Sequence, residues 1–138
     1  MTKHEEFNLI FNGAGVSDGR TISFVNSPVT TNPYSALCFI NALDQNEIQY
    51  FIDNIALATA GNSYDPNFYI VTGTEAFSIR FNEPNFNIEG LTISMTDLRQ
   101  LLQEWMTYLT ASNSHTPRQP NVNIRFPNLP SSKLSYIV

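Results

Sequence analysis

The sequence is poor in cysteine, in basic residues and in charged residues generally. Cys38 is the only cysteine among 138 residues, so no disulfide can form within the chain and nothing indicates an oxidising compartment. The seven Lys and Arg residues form no run, which argues against direct nucleic-acid binding because that requires clustered positive charge. No stretch approaches the roughly 18 apolar residues of a membrane span, and residues 1–6 do not have the form of a signal peptide. We therefore expect a cytoplasmic protein that makes no membrane contact.

The charge that is present is mostly negative. Twelve Asp and Glu residues give a formal net charge of −5 and a pI near 4.8. Charged residues make up 14% of the chain, against about 25% in an average soluble domain, and sixteen asparagines supply much of the remaining polar character. An acidic protein suits a basic partner, because opposite electrostatic fields speed the encounter.

The length and the apolar content of 42% fit one packed domain. We predict a single globular domain over residues 1–138, with flexible ends at residues 1–5 and 131–138. We find no internal repeat and no low-complexity tract long enough to be disordered.

The first half of the chain is predicted to contain three strands and a helix. Residues 7–12 alternate between apolar and polar, and residues 21–25 are β-branched or aromatic, so the glycines between them predict a hairpin. Residues 35–43 form a short apolar run, which we interpret as a third strand. Asp44 and Glu47 have the spacing of a capping box and open an amphipathic helix, which Gly61 ends.

The second half is predicted to contain more strands and a second helix. Ser94 caps this helix, and residues 122–126 alternate in the manner of an edge strand that prolines limit. Gly90 predicts a bulge or bend within the strand before the helix. Three strands are predicted between the helices, at residues 68–71, 76–81 and 86–93. The fold class that follows is α+β, with a mostly antiparallel sheet of five to six strands and two helices packed against it.

Gly13, Gly15 and Gly19 follow an apolar strand, as the glycines of a phosphate-binding loop do. The dinucleotide fingerprint is G-x-G-x-x-G followed by a helix. Here the spacing is G-x-G-x-x-x-G and a strand follows, so a hairpin loop explains the glycines better.

The remaining reactive side chains form no recognisable catalytic or metal-binding pattern. His4 and His115 are far apart in sequence and stand in no zinc-ligand spacing, so we interpret them as exposed histidines. Cys38 lies between Leu37 and Phe39, where a buried and inert thiol is expected. We expect no enzyme activity, no cofactor and no metal.

Five carboxylates have no evident capping or turn role: Asp53, Glu75, Glu83, Glu89 and Glu104. A solvated surface is the simpler interpretation, and an acidic contact patch for a partner is the functional one. Tyr69 is a further contact candidate, because Tyr is enriched in interfaces. Trp105 is predicted to lie in the core, since it falls on the apolar stripe of the second helix. That stripe comprises Leu98, Leu101, Leu102, Trp105 and Leu109.

Residues 86–109 resemble part of a known family. A short strand, a capping Ser and a helix of the form L-x-x-L-L-x-x-W-x-x-x-L resemble the strand-to-helix ending of immunity proteins from bacterial contact-dependent inhibition and related polymorphic toxin systems. The resemblance implies a protein that neutralises a cognate toxin by stoichiometric binding. It assigns no functional residue and does not name the toxin.

Small size and acidity agree with an immunity protein, whose partner is expected to be a basic toxin. A nuclease is one candidate, because carboxylates can imitate the phosphates of its substrate. The alternatives are a structural or assembly subunit and a small-ligand-binding domain without catalysis.

Overall fold

The computed structural model describes residues 1–17, 20–64, 67–72, 75–116 and 122–125. Within these ranges, only the backbone is described for residues 14–17, 20, 67–72, 75–80, 82 and 122–125. These residues form an α+β arrangement of helices and antiparallel strands. The elements in chain order are α1 (Lys3–Glu6), β1 (Ile10–Ser17), β2 (Arg20–Asn26), a 3₁₀ helix (Ser35–Ala42), α2 (Gln45–Thr59), β3 (Asn67–Thr72), β4 (Glu75–Asn82), β5 (Asn85–Ile88), β6 (Leu91–Ser94), α3 (Met95–Ala111) and β7 (Val122–Arg125).

The prediction of one sheet of five to six strands was wrong, because the strands divide between two separate sheets. β1 and β2 pair only with each other, as an antiparallel hairpin whose register shifts between Gly13 and Val16. The other strands pair antiparallel in the order β6-β5-β4-β3-β7. The predicted hairpin and the predicted edge strand are therefore present, but in different sheets.

The outer edge of β2 is already occupied, so no strand of the larger sheet pairs with the hairpin on that side. The side-chain amide of Asn41 accepts a hydrogen bond from the Val25 N–H at 2.9 Å and donates one to the Val25 carbonyl at 2.8 Å. The N–H of His115 donates to the Thr21 carbonyl at 2.8 Å, and its carbonyl accepts from the Ser23 N–H at 3.0 Å. These groups occupy backbone positions that another strand would otherwise use.

The predicted strand at residues 35–43 was also wrong, because this segment is a 3₁₀ helix. Leu37, Ile40 and Leu43 recur at every third position and are all fully buried. Three residues per turn place such positions on one face of a 3₁₀ helix. A short apolar run does not by itself distinguish a buried strand from a buried helical segment.

The predicted strand at residues 86–93 is two strands, β5 and β6, joined by a tight turn. Ile88 pairs with Leu91, which leaves Glu89 and Gly90 as a two-residue loop. Both loop residues have positive φ, 46° and 83°, as the turns favoured in hairpins require. Gly90 therefore reverses the chain where the sequence predicted a bend.

Both predicted helices and their caps are confirmed. Asp44 accepts from the Glu47 N–H at 2.8 Å, and Glu47 accepts from the Asp44 N–H at 2.7 Å, which completes the capping box of α2. Ser94 accepts from the Asp97 N–H at 3.0 Å at the start of α3. Gly61 follows the C-cap of α2 with φ of 79°.

The core joins the helices to the larger sheet through phenylalanines. Phe39 of the 3₁₀ helix stacks on Phe86 of β5 at 5.6 Å between ring centroids. Phe51 of α2 meets Phe81 of β4 edge-on at 6.2 Å. The apolar stripe of α3 is buried, and Trp105 is fully buried within it, as predicted. Among the described residues, no helix has both the length and the apolar character needed to cross a membrane.

Three expectations fall wholly or partly outside this description. Gly19, which was predicted to lie in the hairpin loop, and residues 131–138 lie outside the described residues, and so does residue 126 at the end of the predicted edge strand. Near the N-terminus, the capped helix α1 was not predicted. Thr2 and Glu5 complete its capping box.

Candidate functional site

A groove of about 730 Å³ lies between the N-terminal segment and α3. One wall consists of His4 and Glu5 of α1 together with residues 9–11, where the chain enters β1. The other wall is a stripe along α3 that includes Gln100, Gln103, Glu104, Thr107, Tyr108 and Ala111. Spacings of three and four residues place these side chains on one side of the helix. The volume falls within the roughly 300–1,000 Å³ of known ligand sites.

Glu104 attaches α1 to α3 and so sets the width of the groove. Its carboxylate accepts from the backbone N–H of Lys3 at 2.9 Å and from that of His4 at 3.0 Å. His4 Nδ1 lies 2.8 Å from the same carboxylate and must be its donor, because an ionised carboxylate only accepts. Burial favours a higher pKa for Glu104, but these hydrogen bonds together hold its pKa below the ordinary value.

We expect Glu104→Gln to destabilise the protein at neutral pH by about 1–3 kcal/mol, because an amide cannot accept all of these hydrogen bonds. The carboxylate has a lowered pKa in the folded state, so its contribution is present above the ordinary value of 4.5 and is lost as the pH falls through the folded value. Urea unfolding of both proteins from neutral pH to about pH 3 measures this contribution.

The matched control for this prediction is Glu89→Gln, which changes an exposed carboxylate in the β5–β6 turn. The difference in unfolding free energy between wild type and Glu104→Gln should shrink on acidification, while the Glu89 variant should follow wild type throughout. A Glu104 variant whose deficit stays constant with pH would contradict the assignment of the effect to the carboxylate charge.

Aromatic side chains form the floor of the groove. Phe11 packs on three rings, with centroid distances of 4.2 Å to His4, 4.9 Å to Trp105 and 5.6 Å to Tyr108. Trp105 and Tyr108 stack on each other at 5.6 Å. The floor is thus continuous with the core, which makes the groove a rigid feature of the fold.

The lining of the groove carries negative charge. Glu5 and Glu104 line it, and no Lys or Arg is among its lining residues within the described part of the chain. Lys3 is nearby, but its ammonium group is held by Glu6 at 2.7 Å and by Asp97 at 3.1 Å. A bound group carrying positive charge would therefore meet two carboxylates that no described Lys or Arg neutralises.

The carboxylates proposed from sequence do not gather on one surface. Glu75 opens β4 and Glu83 follows its end, so at about 3.3 Å per residue they lie roughly 25 Å apart. Glu89 lies at the opposite end of β5 from Glu83. Asp53 lies on the exposed side of α2, where it accepts from Gln49 at 2.9 Å. Of the candidates whose side chains the structure describes, Glu104 alone lines the groove.

Glu83 and Tyr69 lie on the larger sheet. Burial raises the pKa of the Tyr64 hydroxyl, and its hydrogen bond to Glu83 and the charge of that carboxylate raise it further. Tyr69 lies in β3 opposite Ser78 on one side and Arg125 on the other. Glu83 is not among the described residues that line the groove.

The residues examined for metal binding and catalysis remain apart. His4 contacts Glu104, while His115 pairs with Ile22 on the far edge of β2. Burial raises the pKa of the half-buried Cys38 thiol, against a backbone hydrogen bond from Ser27. Among the described residues, no three His, Cys, Asp or Glu side chains are arranged to hold a metal ion.

Most residues of the groove were not predicted from the sequence, notably Glu5, Phe11, Gln103 and Thr107. Helical spacing alone indicates that Gln100, Gln103 and Thr107 share a side of α3. Nothing local indicates that this side faces α1 and β1, which are about one hundred residues away.

Comparison of the chain with protein-family models, with curated proteins and with solved structures found no match.

Proposed function

We propose that this protein is an immunity protein, which neutralises a bacterial toxin in the cytoplasm by stoichiometric binding and without a chemical step or cofactor of its own. The observation that carries the proposal is the groove between α1, β1 and α3. Its two carboxylates and the absence of Lys and Arg among its described lining residues suit a basic protein partner. Its walls are exposed helix and strand, which are available to a macromolecule.

The mechanism in this proposal is occlusion of the toxin. A basic toxin, for example a nuclease, would present Lys or Arg side chains that normally bind its substrate. Pairing of those side chains with carboxylates of this protein would cover the substrate-binding surface. The net charge of −5 would speed the encounter by long-range attraction.

The proposal is tested by co-expression with the product of the neighbouring gene. A one-to-one complex should form, and cells that produce both proteins should survive the toxin. Absence of both binding and protection would reject the immunity function. Extended oligomers of the chain alone would instead favour an assembly subunit.

The electrostatic part of the proposal predicts that association slows as salt rises, because screening weakens attraction between exposed charges. Glu5→Gln should slow association about two- to fivefold, with a smaller effect on dissociation. Asp53→Asn is the matched control, since Asp53 is also exposed and accepts a hydrogen bond from its own helix, yet it lies outside the groove. Stopped-flow binding over a salt series measures both variants.

Two results would count against the electrostatic mechanism. The first is an association rate that does not depend on salt. The second is a larger effect of Asp53→Asn than of Glu5→Gln, which would move the contact surface to α2. Further variants at Glu75, Glu83, Glu89 and Tyr69 would then locate the surface.

A further inference from the structure

We propose that the groove receives an extended segment of the partner protein, which adds as a strand along the free edge of β1 and carries Lys or Arg towards Glu5. This inference rests on the proposed function, because it specifies how the partner is held. In this mode of binding, backbone hydrogen bonds between β1 and the added strand supply most of the affinity, and the acidic lining of the groove supplies the selectivity.

The free edge of β1 follows from the hydrogen bonds of β2. Val25 pairs with Phe11 in the hairpin register, but its N–H and carbonyl are both bonded to Asn41 on the outer side. Phe11 and Val25 are therefore a non-hydrogen-bonded pair of the antiparallel ladder. The N–H and carbonyl of Phe11 consequently point away from β2, and Phe11 is one of the residues that line the groove.

The neighbouring positions limit where an added strand can pair. The Leu9 N–H already donates to the His4 carbonyl at 2.8 Å, so α1 closes one end of the edge. Gly13 pairs with Ser23, whose N–H is bonded to His115, so the same argument directs the backbone of Gly13 outward. Within the described residues, nothing bonds to the backbone of Phe11 or Gly13 on this side.

The two edges of the hairpin therefore differ in their hydrogen bonding. The edge of β2 is covered by Asn41 and His115, while no residue in the described part of the chain bonds to the edge of β1 at Phe11 or Gly13. Proteins usually protect exposed strand edges, because unpaired edges recruit other chains. An open edge within an otherwise covered hairpin is the geometry that strand addition uses.

The surroundings specify the side chains of the incoming strand. Its residues alternate between two faces. Those on one face would lie beside Ile10, which is 44% exposed, and there a β-branched residue fits. Those on the other face would meet Gln103 and Thr107 of α3, with Glu5 near one end of the groove. The occupant is thus an alternating segment of β-branched and basic residues.

A second copy of this chain fits the groove poorly. Pairing of two β1 edges across a twofold axis would bring the two acidic grooves together. Each copy carries a net charge of −5, so the approach is opposed by repulsion. A basic segment of another protein meets no such opposition.

The experiment uses a synthetic peptide of about eight residues that alternates Val and Thr with Lys, and the full chain labelled for nuclear magnetic resonance. In the free protein, the Phe11 amide should exchange with solvent about tenfold or more faster than the Val25 amide. Addition of the peptide should slow exchange at Phe11 about tenfold or more. A matched peptide with Glu in place of Lys should bind about tenfold more weakly.

Two threonines of α3 supply a matched pair of variants. Thr107 and Thr110 are both exposed, and each donates its hydroxyl to the carbonyl four residues earlier at 2.9 Å. Only Thr107 lines the groove. Thr107→Arg should weaken binding of the Lys peptide about tenfold, while Thr110→Arg should change it less than about twofold, with equal thermal stability confirming that both variants fold.

Three results would overturn strand addition: no binding of the Lys peptide, binding without protection of the Phe11 amide, or equal effects of the two Arg variants. Protection of Phe11 in the free protein that grows with protein concentration would instead assign the edge to a second copy. None of these results decides whether the protein neutralises a toxin, which the co-expression experiment tests independently. A one-to-one complex with the neighbouring gene product that leaves Phe11 unprotected would retain the proposed function and reject this mode of binding.

Discussion

Replacement of Trp105 by Ala should lower the free energy of unfolding by about 3–5 kcal/mol, the usual penalty for truncation of a large buried aromatic. Trp105 is fully buried, with an exposed fraction of 0%. Its ring contacts those of Phe11 and Tyr108, which line the groove. Its removal would leave a cavity between α3 and the N-terminal hairpin. Urea unfolding followed by circular dichroism measures the loss, because the variant has no tryptophan fluorescence.

Two control variants separate packing from other effects. Trp105→Phe should cost less than the Ala variant, because the indole N–H makes no hydrogen bond within the described residues and its loss leaves no partner unpaired. Leu57→Ala, on the exposed side of α2, should cost less than about 1 kcal/mol. A cost below about 1 kcal/mol for Trp105→Ala would show that Trp105 is not a core residue.

Asn32→Ala should be nearly as destabilising, at about 2–4 kcal/mol, although it removes no apolar surface. The Asn32 amide donates to the Phe7 carbonyl and to Ser27 Oγ, each at 2.9 Å, and its side-chain oxygen accepts from the Tyr34 N–H at 3.0 Å. Asn32 is 5% exposed, so the groups it serves would lose their partners where water cannot easily replace them. Chemical unfolding measures the change.

Asn32→Asp tests the direction of these hydrogen bonds. The Asp side chain has the same shape, but it would place a carboxylate oxygen against the carbonyls of Phe7 and Asn8, which now accept from the amide. We expect this variant to be at least as unstable as Asn32→Ala at neutral pH and to recover partly in acid. Asn26→Ala, at an exposed position, should change stability by less than about 0.5 kcal/mol. Similar stabilities for the Asn32 and Asn26 variants would contradict the structural role of Asn32.

Few of the residues that line the groove could be predicted from the local sequence. Of the residues proposed from sequence, Glu104 lines it, but as the anchor of α1 as well as a source of charge. The exposed carboxylate of the other wall, Glu5, which also accepts the capping hydrogen bonds of Thr2, lies in a segment expected to be flexible. The outward direction of the Phe11 backbone is seen only through Asn41, thirty residues away, because the hydrogen bonds of Asn41 show which way its pairing partner Val25 faces.

The sequence by itself determined the elements whose signals are short-range. Capping pairs such as Asp44 with Glu47 satisfy backbone groups within one turn, and the apolar stripe around Trp105 follows from helical periodicity. Alternation predicted the hairpin of β1 and β2 in the same way, but its bounds were wrong, because β1 begins at Ile10 rather than at residue 7 and includes Gly13 and Gly15, which were expected in the loop. Only the tertiary structure decided the state of residues 35–43, since an apolar run can be buried as a strand or as a 3₁₀ helix. Only the tertiary structure also decided the separation into two sheets and the covering of the β2 edge, because strand pairing and the hydrogen bonds from Asn41 and His115 join segments that are distant in sequence.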